Sequence, residues 1–507
     1  MTTRTFTSTE IAPLRRGEEL GRAHRKEVRA CVDAYRRLFT EAAGEDIDLE
    51  ALGVLALEQI ALVSADLSAE VEGIADGAGL SVAEVAAINA RTEILALLKR
   101  PQATPRGECS TVVHLGEPGH PLAVQAWDWY ESLADLWFVW EIPHGDGRVT
   151  RTLTEYGIVG KIGLNDAGLA VLFNILHHTA DGRTADGQRI GAPVHVLSRH
   201  LLDTCTDLNQ ALLLLTTAPV SASSSLTLVA ATPGESAAVS VELNPARIGY
   251  ALPDADGLLT HTNHFLTSPA AEGDTEPVTG PDSLLRLDLL RRRLGGRARL
   301  AAYDVLTAMD SHVLGGGGLC CHPDLTQPPA SQYRTLATVV VDVAAGVLDV
   351  VAGGACTHPI LISSDQRKEN AMPALKRIDN MDILTRDVDR LVDFYHGVLG
   401  LPFHLPYEKE EEWAAIDLGN LTLYLFKSEV GEHAPKRTAV NLENAPGYDS
   451  MAFEVDDLDA TESELDGQVE WVDERIEWKH PSGAWYRYRP FFDPDGNMVY
   501  ITEPHRA

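Results

Sequence analysis

The residues best suited to do chemistry lie in Gly107-Glu108-Cys109-Ser110-Thr111 and, a short way on, Gln125-Ala126-Trp127-Asp128-Trp129. A cut between Glu108 and Cys109 would make Cys109 a new N-terminus. One residue would then hold both a thiol nucleophile and an α-amine base. An α-amine titrates near ~8 and a free thiol near ~8.5, so the pair can share a proton at neutral pH. Such a residue attacks acyl carbonyls.

These residues need elements to position them. Residues 99–108 contain Pro101, Pro105 and Gly107 and read as a loop that delivers the chain to Cys109. A strand over 111–115 follows. A second strand over 122–127 carries Asp128 at its end. Upstream, about 15–100 read as helices: 22–39 has apolar residues at helical spacing, and Ser81-x-x-Glu84 is a capping box opening a helix to about Leu98. Downstream to about His358 the pattern is mostly strands, with candidates at 169–174, 227–231, 238–243 and 337–342. Helices fit 194–205, 208–215, 284–294 and 301–310. Strands with intervening helices predict a layered α/β (α+β) sandwich.

The polar run Ser363–Asn370 reads as part of a linker over 361–372. The first domain is thus 1–360, divided at Cys109 into 1–108 and 109–360, and the second is 373–507. The second contains an internal repeat, with Met381-Asp-Ile-Leu-Thr-Arg-Asp-Val-Asp answered by Met451-Ala-Phe-Glu-Val-Asp-Asp-Leu-Asp.

The 507 residues are too many for one ordinary core, and 45% apolar with 23% charged residues describes a globular protein. The net charge of −32, from 74 acids against 42 bases, argues against nucleic acid and anionic membrane. No signal core or 18-residue apolar run occurs, and the six scattered cysteines suit reduced thiols in a cytoplasm. Cys320-Cys321-His322 invites a metal reading. It lacks a second ligand pair at zinc-site spacing, so it reads as buried structural thiols. His177, His178, His261 and His264 resemble a metal set in composition alone.

The first domain resembles the isopenicillin N acyltransferase family (acyl-CoA:6-aminopenicillanic acid acyltransferases) of N-terminal-nucleophile (Ntn) hydrolases. The matching segments are Ala87-Ile-Asn-Ala-Arg-Thr-Glu93, Glu108-Cys-Ser-Thr111, Gln125-Ala-Trp-Asp-Trp129, Gly163-Leu-Asn-Asp-Ala-Gly168, Thr262-Asn-His-Phe265, Leu319-Cys-Cys-His-Pro323 and Gly353-Gly-Ala-Cys356. The resemblance implies an αββα sandwich, autocatalytic cleavage between Glu108 and Cys109, and an acyl-Cys109 intermediate. By the same resemblance Asp128 orients the amine or serves the oxyanion site, and the Asn263 amide holds the oxyanion. Asn174, ending an apolar strand, is a second candidate donor. Trp127, Ser283 and Arg286 fall in regions that would meet substrate. Three positions depart from the family pattern: Ala126 stands where Asn is frequent, Glu108 where the penicillin enzyme has Gly, and Ser110 where Thr is usual. Without the resemblance, Cys109 reads as a buried thiol, Asp128 and Asn174 as strand-end anchors, and Asn263 as turn chemistry.

The second domain resembles the vicinal oxygen chelate superfamily of glyoxalases, extradiol dioxygenases and bleomycin-resistance proteins, a βαβββ-repeat fold. Asp389-Arg-Leu-Val-Asp-Phe-Tyr395 with Leu399-Gly-Leu401, Phe453-Glu-Val-Asp-Asp-Leu458 and Phe492-Asp-Pro-Asp-Gly-Asn497 carry the match. The superfamily's four metal-ligand positions fall on Asn380, Tyr424, Ser450 and Tyr500, four neutral groups that suit no divalent metal. Asp382 adds one carboxylate, too little alone. The expectation is a metal-free cup. In it, Trp485, Arg487 and Arg489 share one strand face, suited to a planar, anionic ligand, or else serve as ordinary packing.

These readings combine into an expectation. The chain would be an autoprocessed cysteine acyltransferase or amidohydrolase acting on a small-molecule amide, in natural-product chemistry. It would need no cofactor, with acyl-CoA as a candidate co-substrate. Its partners would be an acyl donor and an amine acceptor, with homodimer pairing through the second domain. A metabolite-sequestering resistance protein and a metal-dependent vicinal-oxygen-chelate enzyme are the alternatives.

Overall fold

The computed structural model describes residues 3–98, 109–116, 118–297, 299–315, 318–328, 331–358, 380–409, 412–419, 421–427, 450–455, 458–472, 474–479 and 485–505. Glu108 and the linker over 361–372 lie outside the described residues. Two compact units divide the chain, Met1–Asn370 and Ala371–Ala507. Among the described residues no helix is long and apolar enough to cross a membrane.

In the first unit, β1 (Thr5–Thr7) leads into α1 (Pro13–Ala23), α2 (Arg25–Ala43), α3 (Leu49–Val63), α4 (Ala65–Ala78), α5 (Val82–Asn89) and α6 (Arg91–Leu98). The expected helix over 22–39 is interrupted at His24, whose ring is drawn 5.1 Å from Phe6 and 5.0 Å from Tyr156. The capping box at Ser81 and Glu84 forms in both directions. The helix it opens does not run to Leu98, however. Asn89 captures the Val85 carbonyl and bonds Gly157 O at 2.8 Å and Val159 N at 2.9 Å, and the chain turns at Ala90. A side chain that competes for the i−4 carbonyl favours such a break.

Then come β2 (Ser110–His114), β3 (Leu122–Tyr130), β4 (Trp137–Pro143), β5 (Val149–Glu155), β6 (Ile162–Asn165), β7 (Leu169–Ile175), α7 (Val194–Thr204), α8 (Leu208–Thr216), β8 (Ser224–Thr232), β9 (Glu235–Leu243), β10 (Ile248–Ala251), β11 (Leu258–His261), α9 (Glu276–Thr279), α10 (Asp282–Leu294), α11 (Ala302–Met309), β12 (Tyr333–Asp342) and β13 (Val347–Ala352). Eight strands form one sheet in the order β1-β4-β5-β6-β7-β8-β9-β10, and five form another, β11-β2-β3-β12-β13. α7 and α8 pack on the first sheet, and α10 and α11 on the second. The sheets share an apolar core containing Val113, Ala123 and Trp127 from one and Leu164, Leu172 and Phe173 from the other. The result is the αββα sandwich.

One expectation about β3 changes. Asp128 lies inside the strand, which continues to Tyr130. β12 pairs with it through a bulge, Thr335 opposite Asp128 and Ala337 opposite Trp127. The extra residue, Leu336, lets pairing continue past the point where the sequence pattern seemed to end.

The second unit repeats one motif, as the βαβββ expectation requires. β14 (Asn380–Thr385), α12 (Val388–Val392), β15 (Trp413–Asp417) and β16 (Thr422–Lys427) form the first half. β17 (Ser450–Glu454), α13 (Leu458–Leu465), β18 (Glu470–Trp471), β19 (Ile476–Lys479), β20 (Trp485–Phe492) and β21 (Met498–His505) form the second. The leading strand pairs in parallel with the last described strand of its own half, β14 with β16 and β17 with β21. Leu391, Tyr395, Leu423, Leu458, Phe491 and Val499 share one core.

Candidate functional site

Cys109 sits immediately before β2, 3% exposed. Its Sγ lies 4.0 Å from the Asp128 carbonyl oxygen on the neighbouring strand. The Cys109 carbonyl accepts two hydrogen bonds, from Asn174 Nδ2 at 3.0 Å and Arg286 Nη1 at 3.1 Å. Asn174 comes from β7 in the opposite sheet, where Thr111 donates to its Oδ1 at 2.7 Å. Arg286 comes from α10. It also donates to Ser110 Oγ and to Asn263 Oδ1, both at 3.0 Å. Asn263 follows β11 and donates through Nδ2 to Ile175 O at 2.9 Å. A closed ring results, Cys109–Asn174–Ile175–Asn263–Arg286–Cys109, joining both sheets and α10 around the thiol-bearing residue.

Each member is placed by local structure. Gln125, two residues before Trp127 on β3, bonds the Phe173 backbone on β7 through both ends of its amide, which fixes the spacing of the sheets. The turn carrying Asn263 is held by Ser283, whose hydroxyl accepts from Asn263 N at 2.8 Å and lies 2.9 Å from His264 Nδ1. Burial pushes the His264 imidazole down to about 4, helped by the charges of His261 and Arg286, so it is neutral near pH 7. Ser283 and Arg286 are themselves fully buried. In this structure they position Asn263 and Cys109 rather than face solvent. Asn263 Nδ2 commits one hydrogen to Ile175. Its second hydrogen is uncommitted among the described residues and is available as a donor.

Behind Trp127 lies a cluster that sequence reasoning missed. Glu155, fully buried, binds Lys161 Nζ at 3.0 Å and Arg91 Nη2 at 3.1 Å, and accepts from Tyr35 OH. Lys161 Nζ lies 3.9 Å from the Trp127 ring centroid, and the Arg91 guanidinium 4.4 Å from the Trp129 ring. Burial, with the Arg91 charge beside it, pushes the Lys161 ammonium down to about 7 against the opposing pull of Glu155 and Cys109. Arg91 lay within a segment already quoted, and Lys161 interrupts an apolar approach to β6. A buried cation in such a setting was the available signal.

Of the four histidines that resemble a metal set in composition, His177 Nε2 lies 3.9 Å from Glu276 Oε2 and the other three are separately engaged. His178 bonds Glu272 O, His261 Nε2 meets Glu242 Oε1 at 2.9 Å, and His264 meets Ser283.

In the second unit, Tyr424 packs 5.8 Å from Phe426 and 6.2 Å from Trp413, while Tyr500 packs 5.3 Å from Tyr488. The side chains of Asn380, Ser450 and Trp485 lie outside the described residues. At these two positions the structure shows phenol rings packed among aromatics, with no carboxylate or imidazole in the place of a divalent-metal ligand. The expected anion-binding face also changes. Arg487 pairs with Glu503, and Arg489 with Glu462 at 3.5 Å, its guanidinium 4.5 Å from the Trp471 ring. Acids of α13 and β21 neutralise both arginines.

Comparison with known proteins agrees with this division. The model of the acyl-coenzyme A:6-aminopenicillanic acid acyl-transferase family matches residues 117–294, and that of the Glyoxalase/Bleomycin resistance protein/Dioxygenase superfamily matches residues 377–501. The first match falls within Met1–Asn370 and the second within Ala371–Ala507, one in each unit. A curated relative, the acyl-coenzyme A:6-aminopenicillanic-acid-acyltransferase 40 kDa form of Emericella nidulans, is 30% identical over 230 residues, 45% of this chain. The chain spans 59% of that relative's length. Solved structures similar to it include a lactoylglutathione lyase from Agrobacterium tumefaciens, 21% identical, covering 25% of this chain and 94% of the other, with a TM-score of 0.19. Another is a glyoxalase/bleomycin resistance protein/dioxygenase from Nocardioides, 16% identical, covering 28% and 92%, with a TM-score of 0.21.

Proposed function

We propose that the chain is a self-cleaving cysteine acyltransferase or amidohydrolase acting on small-molecule amides or thioesters. The observation that carries this reading is the double anchoring of the Cys109 carbonyl by Asn174 and Arg286 at the head of β2. It fixes the backbone of the residue whose thiol and new amine would do the work.

Cleavage begins with attack of Cys109 Sγ on the Glu108 carbonyl. The C–N bond breaks, a thioester forms, and the proton passes to the Cys109 nitrogen. Water then hydrolyses the thioester, leaving a Glu108 carboxylate and a free Cys109 amine. In turnover the thiol gives its proton to that amine and attacks an acyl donor, for which acyl-CoA is a candidate. The leaving thiol or amine takes the proton. An acceptor amine, or water, then attacks the acyl-cysteine and restores the thiol. The second Asn263 amide hydrogen is the proposed oxyanion donor, worth ~10²–10³ in rate. Asp128 is proposed to orient the amine. The second domain is proposed to bind a small natural-product-like molecule without metal.

The test is the denatured mass of wild type beside Cys109→Ala. Wild type is expected as fragments of 108 and 399 residues (507 − 108 = 399), with the variant uncut. A wild-type chain that stays whole and forms no acyl-enzyme with acyl thioesters would overturn the proposal.

A further inference from the structure

The sequence reading set Cys320 and His322 aside for want of a second ligand pair. The fold supplies one from distant segments. His312 Nε2 and His322 Nε2 are 3.0 Å apart, and His322 Nε2 lies 3.6 Å from Cys320 Sγ and 3.5 Å from Cys356 Sγ. All four ligand atoms fall within 4.8 Å of one another, and no other such group occurs among the described residues.

These distances can be checked against a tetrahedral ion. Bonds of ~2.05 Å to nitrogen and ~2.3 Å to sulfur put neighbouring N and S atoms about 3.55 Å apart and two nitrogens about 3.3 Å apart. The observed nitrogen–sulfur separations agree, and the nitrogen pair is slightly close. Two further features fit. The other ring nitrogen of His312 lies 3.6 Å from Asp310 Oδ1, the carboxylate-behind-histidine arrangement that orients metal-binding imidazoles. Gly354 leaves room for the thiol, since a Cβ there would stand 2.4 Å from Cys320 Sγ. The cluster is also reachable from solvent, with the His312 side chain 49% exposed.

We propose that His312, Cys320, His322 and Cys356 bind one zinc ion in a tetrahedral Cys₂His₂ site. Binding replaces two S–H bonds with two Zn–S bonds and releases two protons, and the thiolates offset the ion's charge. The ligands come from the segment after α11, the segment before β12 and the turn after β13. The ion therefore closes three chain segments into one corner. That corner adjoins the Cys109 site: Cys321, next to a ligand, binds Thr335 through its N–H at 3.0 Å, and Thr335 lies opposite Asp128. The site is separate from the vicinal-oxygen-chelate positions and does not depend on the proposed acyl transfer.

The experiment uses the full chain, purified under reductant without chelator and then given zinc. Metal analysis is expected to find one zinc per chain. Cobalt substitution is expected to give intense tetrahedral visible bands with thiolate charge transfer. Cys356→Ser and His312→Ala, both at accessible ligands, are expected to lose the stoichiometric metal and the charge-transfer bands while keeping the wild-type circular dichroism. A chelator is expected to lower the wild-type melting temperature and leave the variants unmoved. Any of three outcomes would overturn the proposal: no zinc on the reconstituted wild type, zinc retained in both variants, or a Cys320–Cys356 disulfide that persists under reductant.

Discussion

The two units treat their polar groups in opposite ways. Around Cys109, buried polar side chains reach across two sheets and a helix, and Asn174, Asn263 and Arg286 each meet a partner on another element. In the second unit the arginines of β20 are spent on partly exposed internal acids, Arg487 on Glu503 and Arg489 on Glu462. A buried charge is tolerated only when paired, so the first unit holds a costly arrangement that its fold must overdetermine. The second keeps its fold through an apolar core and partly exposed ion pairs, which fold stably without committing to any reaction. A retained fold therefore says little about chemistry, and a dense buried network says much.

That contrast can be broken or sharpened by substitution. The largest effect is expected at Arg286. Arg286→Ala removes a buried cation from Asp282, Cys109, Ser110 and Asn263 and should cost about 3–5 kcal/mol in chemical denaturation. Arg286→Lys should recover part of that stability without the fork geometry and hence without self-cleavage. A variant that unfolds and cleaves like wild type would show that the ring positions nothing.

The next effect depends on pH. Lys161 titrates at about 7 in the fold, against ~10.4 for an unfolded lysine. Below pH 7 both states hold the proton, and the cost of burying the charge is complete. Between 7 and ~10.4 the unfolded state holds a proton that the folded state lacks, so stability rises with pH by up to ~1.4 kcal/mol per unit. Lys161→Met has no such proton. The difference in unfolding free energy between wild type and Lys161→Met should therefore climb through this window. Parallel pH profiles would show that Lys161 keeps the proton affinity of an unfolded lysine.

The smallest effect belongs to the second unit. Arg489→Ala loses a ring contact and one partly exposed ion pair, and should cost about 1 kcal/mol or less. A larger loss, read from the second unit's own thermal transition, would mean that its charges are as deeply committed as those around Cys109.

Elements with local causes were legible in the sequence. The capping box at Ser81, the alternation in β9 and the apolar face of α10 depend on residues a few positions apart. The structure also brings Cys109, Asn174, Asn263 and Arg286 together. What the sequence hid depends on long-range meetings. The Arg91–Glu155 pair is separated by 64 residues and has no local signature. The same holds for His312 and Cys356 beside Cys320. The His24 and Ala90 breaks escaped notice because distant groups, the Phe6 ring on β1 and the Gly157 and Val159 backbone, hold His24 and Asn89.

The bulge in β12 sets the phase of the strand. From Ala337 onward, odd-numbered residues share the side of Trp127. The extra Leu336 puts Thr335 on the side of Asp128 instead, although its number is odd as well. Removing that one residue would restore regular alternation across the pair and still leave Thr335 opposite Asp128, beside the Cys321 amide it accepts from; what would go is the local bend that the bulge puts into the strand. For anyone recombining homologous segments here, a one-residue gap is absorbed at Leu336, whereas the same gap elsewhere in β12 would flip every side chain beyond it to the other face.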